Sequence, residues 1–364
     1  MTNLLNDTGK YINQIATQLS ATNEVPAQLF GLGLQEGKLP FGEIGASELS
    51  LFGITPGPGQ NGRVIFNLAP NYKNNYSIQS SLSIARQIAP NLSLEVGYLR
   101  YRGVHIPLSQ ETNYRETGAV ADSGAAYGPE YAPINPSIVQ QNTYSSIGSS
   151  TYNGLTTSLT KHYSRNFQFS ANYTFSRSID DVTDFNSQFA SFTPTRLYLE
   201  RGISAFNVKH NFVANAVYTT KGPRWASGFL LSPIVTARTG IPFSVTVPGA
   251  ENGTEGHSLY ARPIYIPRDS GIGPNFYSFD MRLSKAFLLK PDTVRRLEVS
   301  VDGTNLFNHT NFLSVNNVFT LGDPRLAAGP FGFTGSKSIS EGSPLGFTSA
   351  GSARQFQFGL KLAF

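Results

Sequence analysis

From residue 76 onward the chain alternates on two scales at once. Within runs of about ten to thirteen residues, apolar and polar side chains alternate one by one; between runs, a short link is followed by a long one, four times in succession. The short links are Ala89-Pro90-Asn91, Ser164-Arg165, Gly222-Pro223 and Lys290-Pro291-Asp292, and the long polar stretches cover roughly 106–149, 179–206, 239–274 and 308–352. A side-chain period of two marks a strand with two different faces. The link lengths narrow the choice further. A β-sandwich has no reason to keep such a rhythm, whereas a transmembrane barrel puts short turns on its periplasmic side and long loops outside. Tilted strands of about 9–11 residues also suit the hydrocarbon thickness they must cross.

The two faces are legible residue by residue. Phe167, Phe169, Ala171, Tyr173 and Phe175 oppose Gln168, Ser170, Asn172, Thr174 and Ser176; Tyr277, Phe279, Met281 and Leu283 oppose Ser278, Asp280, Arg282 and Ser284. Leu92, Leu94, Val96 and Tyr98 oppose Ser93, Glu95 and Gly97. Tyr76, Tyr98, Tyr101, Tyr163, Tyr173, Tyr218, Trp225, Tyr277 and Phe287 lie near run ends, where barrels carry aromatic girdles. His210 falls on an apolar face, as a belt residue would. Polar-face carboxylates such as Glu95, Asp280, Glu298 and Asp302 are expected to pair across strands with Arg282, Lys209 or similar neighbours.

Composition supports this class. Only 14 % of residues are charged, while 26 Phe and 17 Tyr accompany a single Trp; disorder would need low hydrophobicity and high net charge. The net charge of +5 comes from scattered Lys and Arg, which gives no nucleic-acid footprint. The absence of cysteine removes disulfide frameworks and thiolate metal sites. No run approaches the roughly 18 apolar residues of a transmembrane helix. The start, MTNLLNDTGKYINQ, has neither the basic residues nor the apolar core of a signal peptide, so export is expected to depend on a longer precursor.

The far end, RQFQFGLKLAF, keeps its alternation to the last residue: Phe356, Phe358, Leu360, Leu362 and Phe364 share one face. Termini usually fray and are polar; a closing barrel strand is an exception. Its pattern, carried by Gln357, Gly359, Leu362 and a terminal Phe364, resembles the assembly signal on the last strand of bacterial outer-membrane proteins, which implies recognition by the barrel-assembly machinery.

Five blocks, LEVGYLRYRGVH (94–105), YNGLTTSLTKHYS (152–164), FSANYTFSRSIDD (169–181), TARTGIPFSV (236–245) and VDGTNLFNHTNF (301–312), resemble the barrel of TonB-dependent outer-membrane receptors, Oar-like branch. Asn305-Leu306-Phe307-Asn308 is similar to the Asn-Leu-Phe-Asn/Asp signature near the end of such barrels. The resemblance implies an all-β, antiparallel barrel in the outer membrane, surrounded by lipid, that imports or binds an extracellular ligand with energy from the TonB complex. That complex acts through a plug domain, and none is recognisable in residues 1–75. About nine strands are legible against the 22 of transporter barrels, so residues 76–364 are expected to be the C-terminal part of a larger barrel, with 1–75 as loop or linker. Nine is odd, so a partner for the run at 76–88 is expected either to be missing or to be supplied weakly by Arg63–Leu68.

Candidate site residues fall in the long stretches. Tyr127, Tyr131 and Tyr144 in the first, and Phe185, Phe189 and Phe192 in the second, are expected ligand contacts, since loops on a rigid scaffold carry recognition. Asp180, Asp181 and Asp184 could gather oxygen ligands for a cation, although a solvated acidic loop start has the same composition. The five histidines show no ligand-like spacing, and neither a Gly-x-Ser-x-Gly elbow nor a metalloprotease helix motif occurs; no cofactor and no enzyme activity are expected. A small stand-alone pore and a secreted all-β binding protein remain as alternatives.

Overall fold

The structure is a computed structural model that describes residues 12–15, 63–120, 128–136, 138–182, 194–223, 225–248, 260–289, 296–320 and 344–363. Nine long strands follow one another as an antiparallel meander: β1 (Tyr76–Ala89), β2 (Leu92–Glu111), β3 (Ile138–Ser164), β4 (Phe167–Asp180), β5 (His210–Thr219), β6 (Phe229–Arg238), β7 (Phe276–Leu288), β8 (Arg296–Thr304) and β9 (Gln355–Ala363). Each pairs with its neighbours in chain order. Among the described residues, β1 and β9 each pair on one side only, with β2 and β8 respectively.

Burial in this sheet is inverted relative to a soluble protein. Leu82 and Ile84 are 72 % exposed, and Phe358 and Leu360 are 77 % and 76 % exposed, whereas Ser176, Ser284 and Ser300 are buried. Register makes the inversion systematic. Leu94, Leu159, Ala171, Ala214, Val235 and Phe279 form one apolar row across β2 to β7. The adjacent row on the opposite face reads Gln87, Ser93, Thr160, Ser170, Asn215, Ile234 and Asp280, polar except for Ile234. One face thus suits hydrocarbon and the other a hydrated interior.

All nine expected girdle aromatics are exposed. Tyr101 departs from the expectation, because it stands level with Gln79 and Tyr152 on the polar face. His210 sits in the girdle, with Nδ1 2.7 Å from the Tyr173 hydroxyl and its ring 5.2 Å from that of Phe175. Near the periplasmic turns, the Lys285 ammonium lies 4.3 Å from the Phe229 ring centroid and Lys161 lies 5.4 Å from that of Phe167, both fed out along apolar surface. Gly359 is held by packing: a Cβ there would meet Ser300 Oγ at 2.6 Å.

Three expectations need correction. The stretch 106–149 is not one long loop, since β2 runs on to Glu111 and β3 begins at Ile138, the two remaining paired as far as Glu111 opposite Asn142. A bulge separates this extension from the lower sheet: register shifts beside Ile106, and His105 takes φ 58°. Arg63–Leu68 does form a strand, but it lies parallel to the upper part of β3, not against β1. It joins an extension whose backbone would otherwise lack partners. Asp280 does not pair with Arg282; it accepts hydrogen bonds from Ser278 Oγ at 2.7 Å and the Asn305 N–H at 2.8 Å. Arg282 instead lies 3.6 Å from Asp302, the cross-strand pair expected of a polar face.

The Asn-Leu-Phe-Asn block is the corner where the chain leaves β8. Asn305 and Asn308 adopt left-handed φ of 49° and 51°, which asparagine tolerates. The Asn305 amide donates to the His309 carbonyl at 2.9 Å and the Ser352 carbonyl at 3.2 Å and accepts from the His309 N–H at 3.0 Å, bridging both arms of the final long connection.

Leu159→Arg, between Leu94 and Ala171 in the apolar row, should destabilise the bilayer-inserted sheet by about 2–4 kcal/mol, read by denaturant titration in lipid vesicles. Ser158→Arg on the polar face should cost clearly less; equal costs would contradict the face assignment.

Candidate ligand-binding layer

Among the described residues, the hydrophobic side chains that are buried lie outside the wall. Leu108, Tyr131, Val182, Val245, Val247, Ile266, Phe319 and Phe347 all belong to the strand extensions and long connections at the outer end of the sheet. Val245 and Val247 are fully buried beside Phe319, where Thr246 N–H donates to the Asn317 carbonyl at 2.9 Å and Phe319 N–H to the Thr246 carbonyl at 2.8 Å. These connections therefore pack as a layer with its own small core.

Charged pairs tie the layer together. Arg268, from the connection between β6 and β7, reaches the carboxylate and the backbone carbonyl of Asp180 at the top of β4; both side chains are buried. Arg262 bonds the Glu200 carboxylate at 3.1 Å and the Leu199 carbonyl at 3.1 Å. Arg196 grips Glu116 with two nitrogens, at 2.9 and 3.0 Å, joining the β4–β5 connection to a small hairpin of Tyr114–Val120 and Pro129–Pro133. Ser244 Oγ donates to Asp269 at 2.8 Å, and burial pushes the Asp269 carboxyl above its ordinary pKa. Burial likewise raises that of Glu111, whose carboxylate accepts from the Asn113 and Gln141 N–H groups, both at 2.8 Å, where the β2 extension ends.

At the base of the layer lies a cleft of about 390 Å³, between the start of the β6–β7 connection and the segment after the corner. Phe243, Phe276, Phe312 and Leu313 give it apolar walls, and Arg238 and Asn317 its polar groups. The Arg238 guanidinium is 4.9 Å from the Phe276 ring centroid. A planar ligand bearing an anionic group would match these walls.

The sequence candidates meet different fates. Tyr131 is 3 % exposed and its hydroxyl is 3.2 Å from Thr195 Oγ1, so it packs within the layer and presents no surface to a ligand. Tyr144 is half-buried on the β3 extension. Tyr127, Phe185, Phe189 and Phe192 lie outside the described residues, as do Asp184 and Phe364. Asp180 and Asp181 are neighbours in sequence but serve separate partners. Asp181 takes hydrogen bonds from Ser149 N and Oγ, both at 2.7 Å, and from Arg201 at 2.7 Å. Among the described residues no three His, Asp or Glu side chains converge as a metal site. The arginines that organise the layer carried no motif, because their partners lie 62 to 88 residues away.

Asp180→Asn leaves a buried guanidinium with a weaker partner. The expected cost to the layer is about 3 kcal/mol, the low end for a broken buried pair, because Asp269 remains 3.9 Å from Arg268. Protease cleavage within 239–275 should rise while the wall stays intact. A pH response is also expected. Hydrogen bonds from Arg196 and Thr195 hold the Glu116 carboxyl down from 4.5 to about 2. Its docking contribution is present above 4.5 and is lost as pH falls through that window toward 2. Hydrogen-exchange protection factors of the 114–120 and 129–133 amides should therefore fall below pH 4.5, and Glu116→Gln should flatten that dependence.

Several solved structures of outer-membrane proteins align with parts of this chain, three of them as follows. The outer membrane transporter YddB from Escherichia coli aligns at TM-score 0.43 with 12 % identity, over 68 % of this chain and 30 % of its own. Pyoverdine-bound FpvA from P. aeruginosa aligns at 0.42 with 12 % identity, over 79 % and 27 %. The ferric-catecholate import receptor Fiu from E. coli aligns at 0.39 with 13 % identity, over 68 % and 26 %. The chain thus spans less than a third of each. No curated protein sequence matches it. The family described as outer membrane beta barrel domain matches residues 5–271, most of the chain. By that match, and by a sheet whose apolar side faces outward, the chain belongs to the outer membrane beta barrel domain family and resides in the bacterial outer membrane.

Proposed function

We propose that the chain is barrel wall and outer loop layer of a TonB-dependent receptor of the Oar-like branch, with energy-coupled uptake or surface capture of an extracellular ligand as its role. The packed outer layer carries this reading. A pore that only passes solutes does not require its loops to bury a core and lock onto one another, whereas a recognition surface needs a fixed shape. The 390 Å³ cleft beneath the layer gives a ligand an apolar wall and one cation. The order of the five blocks and the Asn-Leu-Phe-Asn corner support the branch.

Wall completion follows from the same reading. Open sheet edges do not occur in hydrocarbon, so the outer edges of β1 and β9 take further strands of the same receptor. Contact with the TonB complex belongs to a plug domain encoded with those strands, and the last strand, with Gln357, Gly359, Leu362 and Phe364, is what the barrel-assembly machinery reads. Tyr144 and the loop aromatics Tyr127, Phe185, Phe189 and Phe192 are proposed ligand contacts.

The genomic reading frame upstream of the Met1 codon tests the proposal. It should continue into additional strands, a plug domain and an export signal. A stop codon just upstream, with no plug-encoding gene adjacent, leaves no route for energy coupling and removes the transport reading.

A further inference from the structure

The cleft at the base of the layer differs from the rest of the layer in its charge. The arginines that organise the connections each meet a carboxylate: Arg268 meets Asp180, Arg262 meets Glu200, Arg196 meets Glu116 and Arg201 meets Asp181. Among the described residues no Asp or Glu lines the cleft, and its cation, Arg238, has no hydrogen bond and no ion pair through its guanidinium. The Phe276 ring steadies that group from one side at 4.9 Å, but a ring face occupies none of its five N–H donors.

Register places this cation on the interior side of the wall. Thr156, Thr174, Asn211, Arg238 and Phe276 stand level across β3 to β7. Each lies four residues beyond a member of the polar row, Thr160, Ser170, Asn215, Ile234 and Asp280, and so on the same face.

Other polar groups of the cleft are already committed. Asn317 donates its amide N–H to the Ser244 carbonyl at 2.7 Å, and Ser314 Oγ lies 2.6 Å from Thr348 Oγ1. Thr239 Oγ1 accepts from the His210 N–H at 3.1 Å and donates to the His210 carbonyl at 3.4 Å. A ligand thus meets one place for charge and, for the rest, mainly apolar walls. Those walls are fixed before it arrives. The Phe312 ring is stacked on that of Phe347, with the planes 2° apart. Gly273 N–H donates to the Ile241 carbonyl at 3.0 Å, and a Cβ on Gly240 would run into the Gly273 carbonyl, so two arms of the β6–β7 connection meet backbone to backbone. A volume of about 390 Å³ is at the small end for ligand pockets, with room for a body of about two fused rings.

We infer that the cleft binds a small aromatic monocarboxylate, its carboxylate gripped by Arg238 and its flat body against the phenylalanine walls. A guanidinium and a carboxylate form paired, charge-assisted hydrogen bonds. A second charge on the ligand would lose its water there and gain no partner. The inference rests on the reading of the outer layer as a ligand-capture surface and names the ligand's chemical class.

Equilibrium binding of 2-naphthoate to the full-length protein, extracted from outer membranes and placed in lipid nanodiscs, tests the inference, with empty nanodiscs as the lipid background. Wild type should bind 2-naphthoate at least about tenfold more tightly than 2-naphthamide, which keeps the shape without the charge. The same margin is expected over naphthalene-2,6-dicarboxylate, which adds a second charge. Arg238→Gln should remove the preference for acid over amide, and Arg238→Lys should keep part of it. Leu313→Trp, at a half-exposed position on the rim, should block the acid. Equal affinity for acid and amide in wild type, or no saturable binding of the acid, overturns the inference without any variant. So does an Arg238→Gln protein that assembles and keeps its preference, or a Leu313→Trp protein that still binds the acid. Equal binding of the dicarboxylate overturns the single-charge assignment. Energy coupling plays no part in this measurement: a negative result leaves the transport reading in place, and a stop codon upstream of Met1 leaves the binding result in place.

Discussion

Inside hydrocarbon every backbone N–H and C=O must find a partner within the protein, because no water is there to take its place. The architecture follows from that constraint. Nine strands pair in chain order over their full membrane-crossing length, and their side chains are free to be greasy outward and polar inward only because the backbone has been satisfied first. Where the sheet leaves lipid, the constraint relaxes. Short hairpins, a parallel strand and side-chain caps then appear, each serving backbone groups that a regular ladder no longer reaches.

A wall with apolar residues outside has little room for an ordinary core, so the buried hydrophobic residues gather in the outer layer. That layer is small, and a few buried valines and phenylalanines hold it together only with help from charge. Arg262 and Arg268 act where exposure is lowest, and each is surrounded by carbonyl as well as carboxylate oxygens. Such pairs add little net stability over an apolar substitute but are costly to break on one side. They specify which connection lies against which.

Strand count, strand faces and the aromatic girdle were legible in the sequence because a period of two is local and each run declares its own faces. The wall at Tyr173, His210 and Tyr277 could be read without knowing which strand neighbours which. The outer layer was not legible, for the converse reason. Polarity suggested that 106–149 was loop, yet much of it is strand, since an extension in water has no need of an apolar face to be stable when both neighbours supply hydrogen bonds. Tyr131 looked like a recognition tyrosine and is core. Asp180 and Asp181 were expected to cluster with Asp184 around a cation, and are divided between Arg268 and Arg201. No local pattern could reveal partners so far away in the chain. The Asn-Leu-Phe-Asn block was visible as a signature, but only the structure shows that left-handed backbone and a bridging amide are what it provides.

The bulge at His105 has a meaning for descent as well as for geometry. Below it, side-chain alternation answers to the membrane; above it, register has been reset and the strand answers only to the layer. A seam of this kind lets the two parts vary under separate selection. Recombination or insertion beyond residue 106 can replace what the cell surface presents without disturbing the rows that hold the wall in lipid. The same frame can thus be inherited nearly unchanged while its outer crown diversifies.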